Sequence, residues 1–205
     1  MGMTLGFDRL TAASKKLRRH LALLPLALVL GMATGGSGTA LSAALPPPGA
    51  VTTATTFGSS ITVDRPVTVL SGDVLVASVA ARLSSGDSIT PPAGWALIRR
   101  DSNAPGYLSL TQALYYRVAG SAEPASYVWS FGAQTAASGA VLDFKGIDPT
   151  TPVDSHSGAF SPRSRSIVAP SVTTTAPGDV VVAFFGSSSS KWITAPTALT
   201  EEFAT

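Results

Sequence analysis

The chain has 205 residues, 45% hydrophobic and only 13% charged, with 19 Gly, 15 Pro, no Cys and a formal charge of +2. That length and apolar fraction exclude a disordered chain and leave room for a real core. The low charge and the abundance of Ser, Thr, Gly and Pro exclude a coiled coil or helical bundle. The missing cysteines exclude disulfides, thiol catalysis and cysteine-based metal centres.

The N-terminal segment is organised as an address. Arg9, Lys15, Lys16, Arg18 and Arg19 precede an apolar run, Leu21 to Met32, and a small-residue stretch, TGGSGTALSAA. Basic, apolar, small is the order of a secretory signal. The run falls short of the ~20 residues a membrane-spanning helix needs. Residues 1–44 are therefore expected to be a signal peptide, helical in its apolar part. Residues 45–58, opening on Leu45-Pro46-Pro47-Pro48-Gly49 and continuing Thr-rich, read as an extended linker.

From residue 59 the pattern is short alternating runs between turn residues. Pro66–Leu70 is expected as an edge or lead-in strand. Val74–Ala80 is apolar on both faces and reads as a central strand. Trp95–Arg99 is a shorter candidate. Leu108–Val118 alternates: Leu108, Leu110, Leu114, Tyr116 and Val118 share one face, with Ser109, Thr111, Ala113, Tyr115 and Arg117 on the other. Tyr127, Trp129 and Phe131 fall on one face of a further strand and read as core. Ala140–Lys145 alternates with Asp143 and Lys145 outward. Ile167–Thr174 reads as an edge strand and Val180–Phe185 as a central one. Ser71-Gly72-Asp73, Ala104-Pro105-Gly106 and Pro177-Gly178-Asp179 supply turn chemistry. Many short strands with such turns predict an all-β fold, an antiparallel jelly-roll-like β-sandwich over residues 59–205.

Gly72-Asp73-Val74-Leu75-Val76-Ala77 is echoed by Gly178-Asp179-Val180-Val181-Val182-Ala183. Such an echo marks either a tandem unit or one turn-strand piece used twice. The strings GDVLVASVAAR (72–82), ITPPAGWALIRRD (89–101), ALYYRVAGSAEPASYVWSF (113–131) and GIDPTTPVDS (146–155) resemble an uncharacterised family of jelly-roll-like modules. These modules occur in bacterial exported proteins and in phage-tail-like proteins. The resemblance covers about residues 60–200 and rests on turn and core motifs. It implies a β-sandwich that continues for several strands past Thr205, and it implies no catalytic residues.

Catalytic templates find little purchase. His156 is the one histidine after the signal, and no G-x-S-x-G accompanies it. A hydrolase would need His156 or a carboxylate pair within hydrogen-bond reach in a pocket, with Asp154 and Glu123 the carboxylates to test. Most carboxylates sit in turns, where Asp bonds nearby backbone N–H groups, rather than in the pair glycoside hydrolysis needs. Asp143, Asp148 and Asp154 cluster in sequence but lack calcium-loop spacing. No phosphate-binding glycine loop occurs. No metal or other cofactor is expected.

Aromatic residues offer the best route to a ligand. Tyr115, out of phase with its strand's apolar face, is the leading exposed candidate. Tyr107, in a Pro-Gly turn, and Trp192, after a serine run, follow; the three could stack on a sugar. Five of the 14 basic and one of the 12 acidic residues lie in the first 44. The remainder carries nine and eleven, a net −2, which removes the electrostatic case for nucleic acid or an anionic membrane. The sequence thus points to a secreted or cell-surface, non-catalytic module with a structural, adhesive or ligand-presenting role. A surface glycan or another protein module is the expected partner. A carbohydrate-binding module of a secreted hydrolase and a phage-tail-like attachment module are the alternatives.

Overall fold

The computed structural model describes residues 21–24, 49–83, 87–103, 109–160, 167–175 and 178–188. Every regular element among them is a β-strand: β1 (Leu21–Leu24), β2 (Ala50–Asp64), β3 (Val74–Ala81), β4 (Ile89–Thr90), β5 (Ala96–Ser102), β6 (Thr111–Val118), β7 (Ser126–Phe144), β8 (Val153–His156) and β9 (Val180–Ala183). An antiparallel six-stranded sheet runs in the order β2-β7-β3-β6-β5, with β4 pairing β7 off this path. A smaller three-stranded sheet has the order β8-β1-β9 and is parallel.

Alternation along β3 explains why the large sheet is central. Leu75, Ala77, Val79 and Ala81 enter one buried cluster, while Val74 and Val76 enter a second on the opposite face. β6 and β7 divide in the same way: Ala113, Tyr115 and Val141 go to the first, Leu114, Ala140, Leu142 and Phe144 to the second. Side chains of a strand alternate between faces, so a strand apolar throughout must be covered on both. The second face is covered by Ile147 and by Val180, Val182 and Phe184.

Cover for the first face comes from the β2/β7 ribbon folding over. β2 pairs β7 from Ala50↔Asp143 to Gly58↔Thr135, then again from Ser60↔Ser130 to Asp64↔Ser126. At the break two residues advance on β2 while five advance on β7, a large bulge that bends the ribbon. Thr52 Oγ1 donates to the backbone oxygen of Asp64 on its own strand. Twelve extended residues would span about 40 Å, so β2 must double back. The returning arm brings Ile61, Val63, Tyr127, Trp129 and Phe131 onto Leu75, Ala77, Tyr115 and Val141. At Gly139 the arm passes close: a Cβ there would lie 3.1 Å from Val63 Cγ2 and 3.3 Å from Ile61 Cδ1. We expect Gly139→Val to cost about 1–3 kcal/mol by overpacking, read as a fall in thermal midpoint.

Several local expectations change. The 45–58 linker is strand from Ala50 onward. Its Thr-rich stretch is β-branched and pairs in register with β7. The linker's proline run lies outside the described residues. Of the expected signal helix only Leu21–Leu24 is described, and it is a strand between β8 and β9. Pro66–Leu70 is a turn, with Val69 N–H donating to Pro66 O at 3.3 Å, and Ile167–Thr174 contains no strand. Tyr127–Phe131 and Ala140–Phe144 are two ends of one 19-residue strand. The internal echo holds locally: Gly72 and Gly178 have φ of 91° and 88°, and each turn feeds a strand into the second cluster. Positive φ is accessible to Gly without a Cβ penalty.

Candidate functional site

Tyr115 is not an exposed aromatic. It is 2% exposed, and its hydroxyl donates to Ile89 O at 2.9 Å. The strand face that looked polar in isolation is covered by the folded-over ribbon, and Thr111 and Ala113 are buried beside it. Tyr107 and Trp192 lie outside the described residues. The described aromatics form a core cluster instead. The Trp95 ring meets Tyr127 at 5.0 Å and Trp129 at 5.3 Å, edge to face, and Trp129 also meets Tyr115 at 6.4 Å.

Burial pushes the Tyr115 hydroxyl up from 10.0 to about 12, with Arg100 opposing. A raised folded pKa adds stability that is whole below the unfolded value and fades as pH rises through the folded one. We therefore expect stability to decline between about pH 10 and 12. The Tyr115→Phe variant should lack one late step in a phenolate absorbance titration.

The proposed hydrolytic partners each bond to other groups. Asp154 accepts from Thr175 N–H at 2.7 Å and from the Thr175 hydroxyl. His156 Nδ1 lies 3.5 Å from Arg99 Nη1, and Arg99 makes a two-pronged pair with Asp101 at 2.6 Å. Glu123 sits elsewhere, its side chain 3% exposed, where it accepts from Arg117 Nε and Nη2, Gly120 N–H and the Tyr127 hydroxyl at 2.7–3.0 Å. Burial alone would raise the Glu123 carboxyl. The Arg117 hydrogen bonds and charge, with those from Gly120 and Tyr127, hold it below its ordinary value. The same burial and bond push the Tyr127 hydroxyl up. Asp148, in the sequence cluster with Asp143 and Asp154, caps its own turn by accepting from Thr150. Among the described residues no three His, Cys, Asp or Glu side chains are placed to hold a metal ion.

One constellation has chemistry that the sequence did not announce. Lys145 Nζ lies between two carboxylates, donating to Asp73 Oδ2 and, at 2.8 Å, to Asp143 Oδ2. Asp143, expected outward, is 0% exposed. It also accepts from Thr68 Oγ1 at 2.6 Å, while its Oδ1 is buried without a partner. Asp73 Oδ2 takes a second bond from Leu70 N–H at 2.6 Å. Register explains the meeting: Val74 pairs Phe144, so the next position places Asp73 beside Lys145, and Asp143 is two residues back on the same face of β7. Gly49 closes the site. A Cβ there would lie 3.0 Å from Asp143 Oδ2, 3.1 Å from Lys145 Cε and 3.2 Å from Thr68 Oγ1. Burial would lower the Lys145 pKa, but hydrogen bonds and charge from Asp143 and Asp73 outweigh it and raise it. The visible clue in the sequence was an Asp-x-Lys pair opposite a turn aspartate, legible only once β3 and β7 are known to pair.

Comparison with protein-family models, with curated proteins and with solved structures finds no match to this chain.

Proposed function

We propose that the chain is an exported, non-catalytic β-sandwich module of jelly-roll type, acting as a structural, adhesive or ligand-presenting domain at the cell surface or in the medium. The observation that carries this reading is the commitment of the described polar side chains to the fold. Glu123, Asp73, Asp143, Asp148 and Asp154 each bind neighbouring turns or strands. The sheet covered on both faces and the folded-over ribbon support the sandwich. Binding would then lie in the loops at the ends of the strands. The carbohydrate-binding alternative has lost Tyr115 from its three aromatics and keeps Tyr107 and Trp192.

Export and binding are tested together. The full chain, expressed in a bacterium with a general secretion pathway, should appear outside the cytoplasm. Leu28→Arg, which puts a charge into the apolar run, should retain it inside. A wild-type chain found only in the cytoplasm would overturn export. Retention of the secreted chain on insoluble polysaccharides, lost in a Tyr107→Ala, Trp192→Ala double variant, would favour the carbohydrate-binding reading over a purely structural one.

A further inference from the structure

The Lys145–Asp73–Asp143 constellation, a partly exposed ammonium between a nearly buried and a fully buried carboxylate, has more than a salt bridge requires. A surface ion pair needs neither a fully buried carboxylate nor an unpartnered oxygen on it, and leaving one costs free energy. Gly49 packs close beside two of the groups: a Cβ there would lie 3.0 Å from Asp143 Oδ2 and 3.1 Å from Lys145 Cε, so a larger residue would have to push them aside. The chain also has no cysteine with which to cross-link itself. We propose that Lys145 and Asp73 are joined by an intramolecular amide bond, formed autocatalytically with Asp143 as the proton carrier.

The step balances within the site. The Lys145 ammonium passes one proton to the Asp143 carboxylate, which hands it to Asp73 Oδ1. The neutral amine then attacks Asp73 Cγ, and a C–N bond forms. Leu70 N–H already bonds Asp73 Oδ2, where negative charge grows in the tetrahedral intermediate. Asp143 takes a second proton from the nitrogen and delivers it to the departing hydroxyl. The Cγ–Oδ1 bond breaks and one water leaves. No oxidant, metal or co-reactant enters. The carboxylates that hold the proton on Lys145 are the bases that receive it, so the transfer needs no exchange with solvent. Asp143 is suited to the carrier's part because one oxygen is bonded to Lys145 and the other has no competing partner. The product ties the start of β3 to the end of β7 and closes a loop of 72 residues. It does this independently of what the module binds.

Mass spectrometry of the purified full chain decides the matter. The wild-type protein should be lighter than its sequence by the mass of one water. Tryptic digestion should give a branched peptide joining the Asp73 segment to the Lys145 segment, with no cleavage after Lys145. Lys145→Arg should carry the full sequence mass. Asp143→Asn, nearly the same size, should fold with the same far-ultraviolet circular dichroism and lose most of the cross-link. A wild-type chain at full sequence mass and cut after Lys145 overturns the proposal, leaving an ionic cluster. A cross-link undiminished in Asp143→Asn overturns the role given to Asp143.

Discussion

Replacing Trp129 by Ala is expected to lower the unfolding free energy by about 3–5 kcal/mol. Small domains hold only ~5–15 kcal/mol in all, so the variant should be largely unfolded in moderate urea. The indole is 0% exposed and stands where the folded-over ribbon meets the sheet, touching Trp95, Tyr115 and Tyr127. Tyr115 is anchored on β6 by its hydroxyl bond to Ile89 O and Tyr127 by its bond to Glu123, which limits how far the neighbouring rings can move in to fill the space. The Trp129→Phe variant provides the contrast. The Trp129 indole N–H is buried without a partner, and Phe removes that orphan donor while keeping a ring in the stack. Its cost should fall to about 1–2 kcal/mol, the transfer and cavity terms for a smaller ring offset by the lost desolvation penalty. Urea unfolding followed by circular dichroism measures both. Equal losses in the two variants would mean that the ring contacts, rather than the volume, are dispensable.

Removing the Glu123 carboxylate should cost nearly as much. Glu123→Ala leaves the Arg117 guanidinium and the Tyr127 hydroxyl without their shared acceptor. Breaking one side of a buried charge pair typically costs about 3–5 kcal/mol. Arg117 keeps a bond to Ala93 O at 2.9 Å and is about one-fifth exposed, so the lower end of that range applies. The pH dependence has a definite sign. The folded carboxyl titrates below its ordinary 4.5. A depressed carboxyl adds stability that is present above the unfolded value and is lost as pH falls through the folded one. The wild-type melting temperature should therefore drop as pH falls below about 4.5, and the Glu123→Gln variant should show a shallower drop over the same interval. Parallel curves for the two proteins would assign the acid loss to other groups.

The strands that were legible in the sequence share one property: their apolar content is local. Val74–Ala80 and Val180–Phe185 are apolar on both faces, and both are strands buried against the second cluster. Trp129 could be placed in the core because Tyr127 and Phe131 repeat with it at period two. The middle of β7 was illegible for the opposite reason. Gly132, Ala133, Ala136, Ala137 and Gly139 give no β-propensity signal. Ala136, Ala137 and Gly139 are strand because they pair along β2, and at Gly139 a small residue lets Ile61 and Val63, 78 and 76 positions earlier in the chain, pass close over the sheet.

Composition, turn chemistry and periodicity by themselves determined an all-β chain, its central strands, its turn glycines and a mildly acidic body behind a basic leader-like segment. These follow from alternation and backbone sterics, which act over a few residues. Tertiary structure alone decided which faces are covered. It buried Tyr115, drew Asp143 inward and set Lys145 between two carboxylates, because the β2/β7 ribbon doubles back and β3 pairs with β7. Burial and pairing across such distances depend on how the whole chain closes on itself, which no window of neighbouring residues encodes.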